Sequence, residues 1–98
     1  MFIGRVVGVV WATRKHPSLE GAKLLLVKSL DPQTGKTKGI PLMAVDKLVD
    51  AGIGDTVLVI DEGNSARQLL DDPNAPVRTL VIGVLDCVTI EGNHYQYH

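Results

Sequence analysis

Residues 52–67 read GIGDTVLVIDEGNSAR. Gly52 and Gly54 with Asp55 form a tight turn. Residues 56–60 are a short apolar run, which reads as a strand. The chain then turns polar and enters a small loop, Gly63-Asn64-Ser65-Ala66-Arg67. A strand that ends in such a loop presents it to a recipient. That recipient is a substrate, a phosphate group or another protein.

Working outward, residues 1–13 are rich in Val and Ile, with Gly4 and Gly8 interrupting. Glycines inside a strand mark bulges or sharp bends. A long first strand needs them to curl around a small barrel. Residues 14–21 form a loop, with Pro17 at the turn and Ser18 as cap of a helical turn at Leu19 and Glu20. Residues 23–30, KLLLVKSL, read as a second strand closed by Asp31-Pro32. Residues 31–39 make a polar hairpin tip with Pro32 and Gly35. Residues 40–45 are a short third strand, and residues 46–51 form one helical turn. Residues 55–60 are the fourth strand. Residues 65–70 are expected to be a short helix, with Asn64 or Ser65 as its N-cap. Prolines 73 and 76 keep residues 71–76 out of any ladder. Residues 80–90 read as one fifth strand bent at Gly83. The tail 91–98 either frays or adds an edge strand.

Five short strands joined by turns predict an all-β protein, a five-stranded OB-like β-barrel with one or two short helical turns. The barrel occupies residues 1–90 and the C-terminal tail residues 91–98.

A chain of 98 residues is one domain. A domain of this size buries only about 60–65% of its unfolded surface. Mean hydropathy is +0.15 and only 21% of residues are charged. That apolar excess fills either one tight monomeric barrel or a contact between copies. The net charge of −1 offers no basic face for a phosphate backbone. Lys23 and Lys28 have Glu20 and Asp31 nearby in the chain, and Lys36 and Lys38 sit in the hairpin tip. The single cysteine, Cys87, precludes an intramolecular disulfide and reads as a small apolar core residue. The N-terminal segment has no charged leader or cleavage site of the secretory type. No apolar stretch reaches the length of a membrane span.

The candidate chemistries are thin. Ser65 with His16 and Asp46 or Asp55 has the residue types of a nucleophilic triad. Ser65 lacks the G-x-S-x-G setting of a nucleophile elbow. His94 and His98 are four apart, which suits a metal only on a helix. Strand formers dominate that tail. Gly63, Asn64, Ser65 and Arg67 offer donors for a phosphate, but no Walker pattern surrounds them. Single-stranded nucleic acid needs stacking aromatics and a basic groove. The chain has Trp11, Tyr95 and Tyr97, and Trp11 reads as a barrel plug or an interface anchor. The expectation is a protein that is not an enzyme, with no cofactor, no metal, no nucleic acid and no membrane among its partners. A polar loop on an apolar scaffold suits a homo-oligomeric ring. Small residues at Gly63, Ser65 and Ala66 let chains approach an axis, and the planar guanidinium of Arg67 bonds across a subunit boundary.

The ordered segments Gly4-Arg5-Val6-Val7-Gly8, Trp11-Ala12-Thr13-Arg14-Lys15, Leu19-Glu20-Gly21, Lys23-Leu24-Leu25-Leu26-Val27, Ala44-Val45-Asp46, Ala51-Gly52-Ile53-Gly54-Asp55 and Gly63-Asn64-Ser65-Ala66-Arg67 resemble the EutN/CcmL family. These are vertex proteins of bacterial microcompartment shells, and the likeness runs from Met1 to about Val88. It implies a homopentamer shaped like a truncated pyramid. Pentagons supply the curvature that flat hexagonal tiles lack, so the pentamer closes shell vertices beside hexameric and trimeric shell proteins in the cytoplasm. It places the 63–67 loop near the subunit boundary and the axial pore. It assigns Thr13, Lys15 and Asp46 to folding or subunit contact. The family loop commonly reads Gly-Ser-Ser-Ala-Arg; here Asn64 replaces the first Ser, after the acidic pair Asp61 and Glu62. The competing reading is an OB-fold module for single-stranded nucleic acid, distinguished by salt-dependent oligonucleotide binding.

Overall fold

The computed structural model describes residues 1–11, 17–19, 21–71 and 78–96. Strand β1 is Phe2–Val10, followed by a 3-10 turn at Pro17–Leu19. Then come β2 (Lys23–Leu30), β3 (Thr37–Asp46) and β4 (Thr56–Asp61). Helix α1 is Gly63–Leu70, and β5 is Thr79–Val84. Two short strands end the chain, β6 (Cys87–Ile90) and β7 (Asn93–Gln96).

Strands β1 to β5 close a barrel in the order β1-β2-β3-β5-β4, with β4 pairing back to β1. All pairs are antiparallel except β3 with β5, which meet in parallel at Val45 and Leu80. The five-stranded OB-like barrel is therefore the architecture. Closure removes most sheet edges, which a small barrel with many Val and Leu side chains requires.

Alternation along the strands builds the core. Val6, Leu25, Val27, Ala44, Ala51, Val57, Val59 and Val81 pack together inside the barrel. A second cluster, Ala22, Val45, Ala66 and Leu80, seats α1 against the barrel. The register of β1 on β2 slips between Val6 and Gly8, so the first strand is bulged beside a glycine as its sequence predicts.

One buried polar atom stands out. Thr56 sits in β4 with its Oγ1 buried and without a hydrogen-bond partner. An unpaired buried hydroxyl costs about 1–3 kcal/mol. Thr56→Val keeps the shape and removes that cost. It is expected to stabilise the domain by about 1 kcal/mol, raising the melting temperature by roughly 4–8 °C. A thermal melt at or below wild type would refute this.

Five expectations need correction. The third strand starts at Thr37 rather than residue 40, because Thr37 and Lys38 pair with Leu30 and Ser29. Residues 47–49 bend instead of forming a helical turn. The run 80–90 is two strands, not one. Leu85 donates its N–H to Thr56 O at 2.8 Å, and the chain then leaves the barrel for the separate β6–β7 hairpin. Trp11 is 91% exposed, so it plugs nothing. Cys87 is exposed, because β6 has already left the barrel wall.

Candidate subunit-contact site

Strand β4 delivers the 61–67 segment, and two contacts hold the handover. Thr79 Oγ1 donates to Asp61 Oδ1 at 2.9 Å, tying the end of β4 to β5. Arg78 Nε lies 3.4 Å from the same oxygen, a surface pair of little energetic weight. Asp61 thus acts within its own chain.

The segment expected to be a loop is helical from Gly63 onward. The N-cap is neither Asn64 nor Ser65. Glu62 holds that place, because its carbonyl accepts the first helical bond from Ala66 N–H at 3.1 Å. The helix ends at Asp71, whose N–H bonds to Gln68 O at 3.1 Å in a left-handed conformation with φ 53°.

Within α1 the five loop residues divide. Ala66 is fully buried, packed with Ala22, Val45 and Leu80. Its small size serves the fit of helix to barrel, not an approach between chains. Arg67 lies one turn after Gly63 and folds back over it. A Cβ built on Gly63 would stand 3.0 Å from Arg67 Nη1. Gly63 therefore leaves room for the guanidinium above the helix start. Gly63, Asn64 and Ser65 form the first turn, beside Arg67.

A second construction supports the barrel end that carries residues 46–55. Asp46 is 2% exposed, and its carboxylate gathers three backbone donors. Oδ1 accepts from Val49 N–H at 3.1 Å and from Asp50 N–H at 3.2 Å, and Oδ2 accepts from Ala51 N–H. This capture of consecutive N–H groups is the reason that residues 47–49 bend rather than coil into a helix. Asp55 repeats the device: its Oδ2 accepts from Gly52 N–H at 2.8 Å, and its own N–H donates to Gly52 O. Gly54 N–H then donates to Val6 O at 2.9 Å, anchoring the turn to β1.

Lys23 completes this end. Its Nζ donates to Ala51 O at 2.9 Å and lies 2.6 Å from Asp50 Oδ1. Its ion-pair partner among the described residues is Asp50, and Glu20 lies outside them. The hydrogen bond to Asp50 raises the Lys23 pKa, burial opposes the rise, and the charges of Asp50, Asp46 and Asp55 reinforce it. Because the folded value is raised, this contribution is complete below the ordinary lysine range and fades only as pH climbs through the raised value.

Other sequence candidates separate. The Asp46 carboxylate is taken up by three backbone donors, so its evident task is to hold the 47–51 bend. Thr13, Lys15 and His16 lie outside the described residues. His94 is on β7, where its Nδ1 sits 2.6 Å from Thr89 Oγ1 across the hairpin. Among the described residues no group of three or more His, Cys, Asp or Glu converges. No helix among them is long and apolar enough to cross a membrane.

The sequence model of the family described as "Ethanolamine utilisation protein EutN/carboxysome" matches residues 1–86. The chain is 38% identical over 91 residues to the carboxysome shell vertex protein CcmL of Nostoc sp. (strain PCC 7120), covering 93% of this chain and 88% of that protein. The solved structure of that protein superimposes with a TM-score of 0.86, covering 100% of each chain at 35% identity. The shell vertex protein PduN of Salmonella typhimurium is 37% identical over 92 residues, which is 91% of this chain and 99% of PduN. The GrpN pentameric microcompartment shell protein from Rhodospirillum rubrum gives a TM-score of 0.75 at 31% identity, covering 92% and 99% of the two chains.

Proposed function

The chain belongs to the EutN/CcmL family, and from that premise we propose that it is a structural shell protein, a homopentamer that caps the vertices of a bacterial microcompartment. The observation that carries this reading is the match along almost the full barrel to relatives that are themselves shell vertex proteins, one of them pentameric in its solved structure.

The physical features agree with a building part. The one completely buried carboxylate, among the described residues, organises backbone rather than substrate. Several large apolar side chains, among them Trp11, Ile40, Met43 and Ile53, are exposed on the single chain, as suits surfaces that other copies cover. A five-fold vertex needs a heterologous contact that closes by rotation. The start of α1 supplies one part of that contact. Gly63, Asn64 and Ser65 form the turn that faces the neighbour, and Arg67 supplies a multi-donor fork beside them. Ala66 is the buried hinge on which this turn rests. Glu62, exposed just before the helix, adds an acidic group near this turn, where it tunes what the axial opening admits. Thr13 and Lys15 serve folding or subunit contact, and Asp46 shapes the supporting loop. The partners are further copies of this chain together with the hexameric and trimeric tiles of a shell in the cytoplasm.

Native mass spectrometry of the purified protein tests the reading. The expected result is a dominant species of five chains. A stable monomer or dimer at micromolar concentration would overturn it.

A further inference from the structure

The barrel carries an apolar projection and an apolar recess at opposite ends of β2. The projection is a bulge in β3. Val27 pairs with Leu42 and Ser29 with Lys38, so Lys28 alone faces three residues, Gly39, Ile40 and Pro41. Gly39 has φ 81°, a backbone conformation that glycine adopts without strain. Pro41 forgoes a ladder donor, as suits a bulge. The result is that Ile40 is 81% exposed, with Leu42 and Met43 exposed beside it. Bulges of this kind re-aim a side chain. A large aliphatic side chain aimed at water gains nothing for the isolated chain.

The recess has a volume of about 300 Å³. Val9, Val10, Trp11 and Leu24 form its apolar wall, and Ala51 and Gly52 close one side. An apolar cavity of about 150 Å³ suffices to hold a benzene ring, so this one has room for an isoleucine and the proline after it. Lys23 reaches the recess but is held by Asp50 and Ala51 O. Asp50 and Asp55 flank the Ala51-Gly52 side, so among the described residues that rim holds two carboxylates against the one ammonium of Lys23. The projection is flanked by Lys36 and Lys38, with no acidic residue between residues 36 and 43. Charge and apolar character are therefore complementary. Leu24 and Lys28 are four residues apart on β2, about 13 Å at roughly 3.3 Å per residue. Ile40 cannot reach the recess of its own chain.

We propose that the β3 bulge of one copy, led by Ile40, inserts into the Val9–Trp11 recess of the next copy, and that this contact repeats around the ring. The proposal rests on the pentamer reading and names the surfaces that build it. The two patches differ, so the contact is heterologous, as a ring requires.

Two exposed positions make the test. Ile40→Asp removes the projection and leaves the recess. Trp11→Glu spoils the recess and leaves the projection. Each purified variant should keep the wild-type circular dichroism spectrum and run as a monomer in native mass spectrometry where wild type is a pentamer. Mixed in equal amounts, the two variants retain one intact contact between them. The mixture should give a heterodimer of one copy of each, and nothing larger. A misfolded variant could not form that heterodimer. Pentamers from either variant alone, or no heterodimer in the mixture, would overturn the pairing. A wild type that is not pentameric would instead overturn the ring reading itself.

Discussion

Asp46→Ala is expected to lower the unfolding free energy by about 3–5 kcal/mol, a large part of the roughly 5–15 kcal/mol typical of a domain. The reason is the number of donors that one carboxylate serves. Val49, Asp50 and Ala51 all direct their N–H groups at Asp46, and the side chain is buried. Alanine leaves these donors without an acceptor, and the loss of a buried partner costs about 1–3 kcal/mol per group. The loop would also lose the geometry that places Ala51 O against Lys23 and Gly52 against Asp55. Asp46→Asn keeps the size and one acceptor oxygen but turns an NH₂ toward an N–H donor. It is expected to lose about half as much. Urea denaturation would report both as shifts of midpoint at unchanged slope. A loss below about 1 kcal/mol for alanine would show that the bend is held by something else.

Arg67→Ala is expected to leave the barrel folded and to weaken the ring. Arg67 is half-buried on α1, with its guanidinium over Gly63 rather than in the core. Its removal should shift the melting midpoint of the dissociated chain by no more than a degree or two. On the proposed reading, which sets Arg67 at the boundary between copies, the same residue offers a fork of planar donors. Interface arginines of this kind cost about 2 kcal/mol or more when truncated. That is roughly 30-fold in each contact, repeated at every contact around the ring. Arg67→Lys should recover only part of this, because a point charge does not replace the fork. Sedimentation velocity over a range of concentrations would follow the assembly. A concentration dependence identical to wild type would remove Arg67 from the contact.

Much of the fold was legible because several segments carry both a pattern and a stop signal. Lys23–Leu30 is an apolar run closed by Asp31-Pro32, and its observed bounds match the reading. The turn of Gly52, Gly54 and Asp55 is marked by residue type alone, and its hydrogen bonds follow. The failures share a cause. Residues 80–90 are apolar throughout, and periodicity carries no mark of where a strand leaves a closed barrel. That point is set by Leu85 N–H reaching Thr56 O from a different strand. Cys87 was misjudged with it. Residues 46–51 have helix-forming composition, but a single buried carboxylate outcompetes the helical bonds. The candidate site was legible as a segment and not as a division of labour. Gly63 and Arg67 are spaced by one helical turn, a signal that was available. Nothing local marks Ala66 as the residue that faces the core.

The sequence by itself determined the first four strands in outline, several turns and the family, because residue type and spacing limit backbone conformation locally and the order of motifs is specific. The tertiary structure alone decided which of the residues in GIGDTVLVIDEGNSAR look inward and which look out. It put Ala66 beneath the barrel and Arg67 over Gly63. It made Asp46 a backbone acceptor, raised Ile40 on a bulge and opened a recess by Trp11. These depend on contacts between segments far apart in the chain, where closure of the barrel, not local propensity, sets burial and direction.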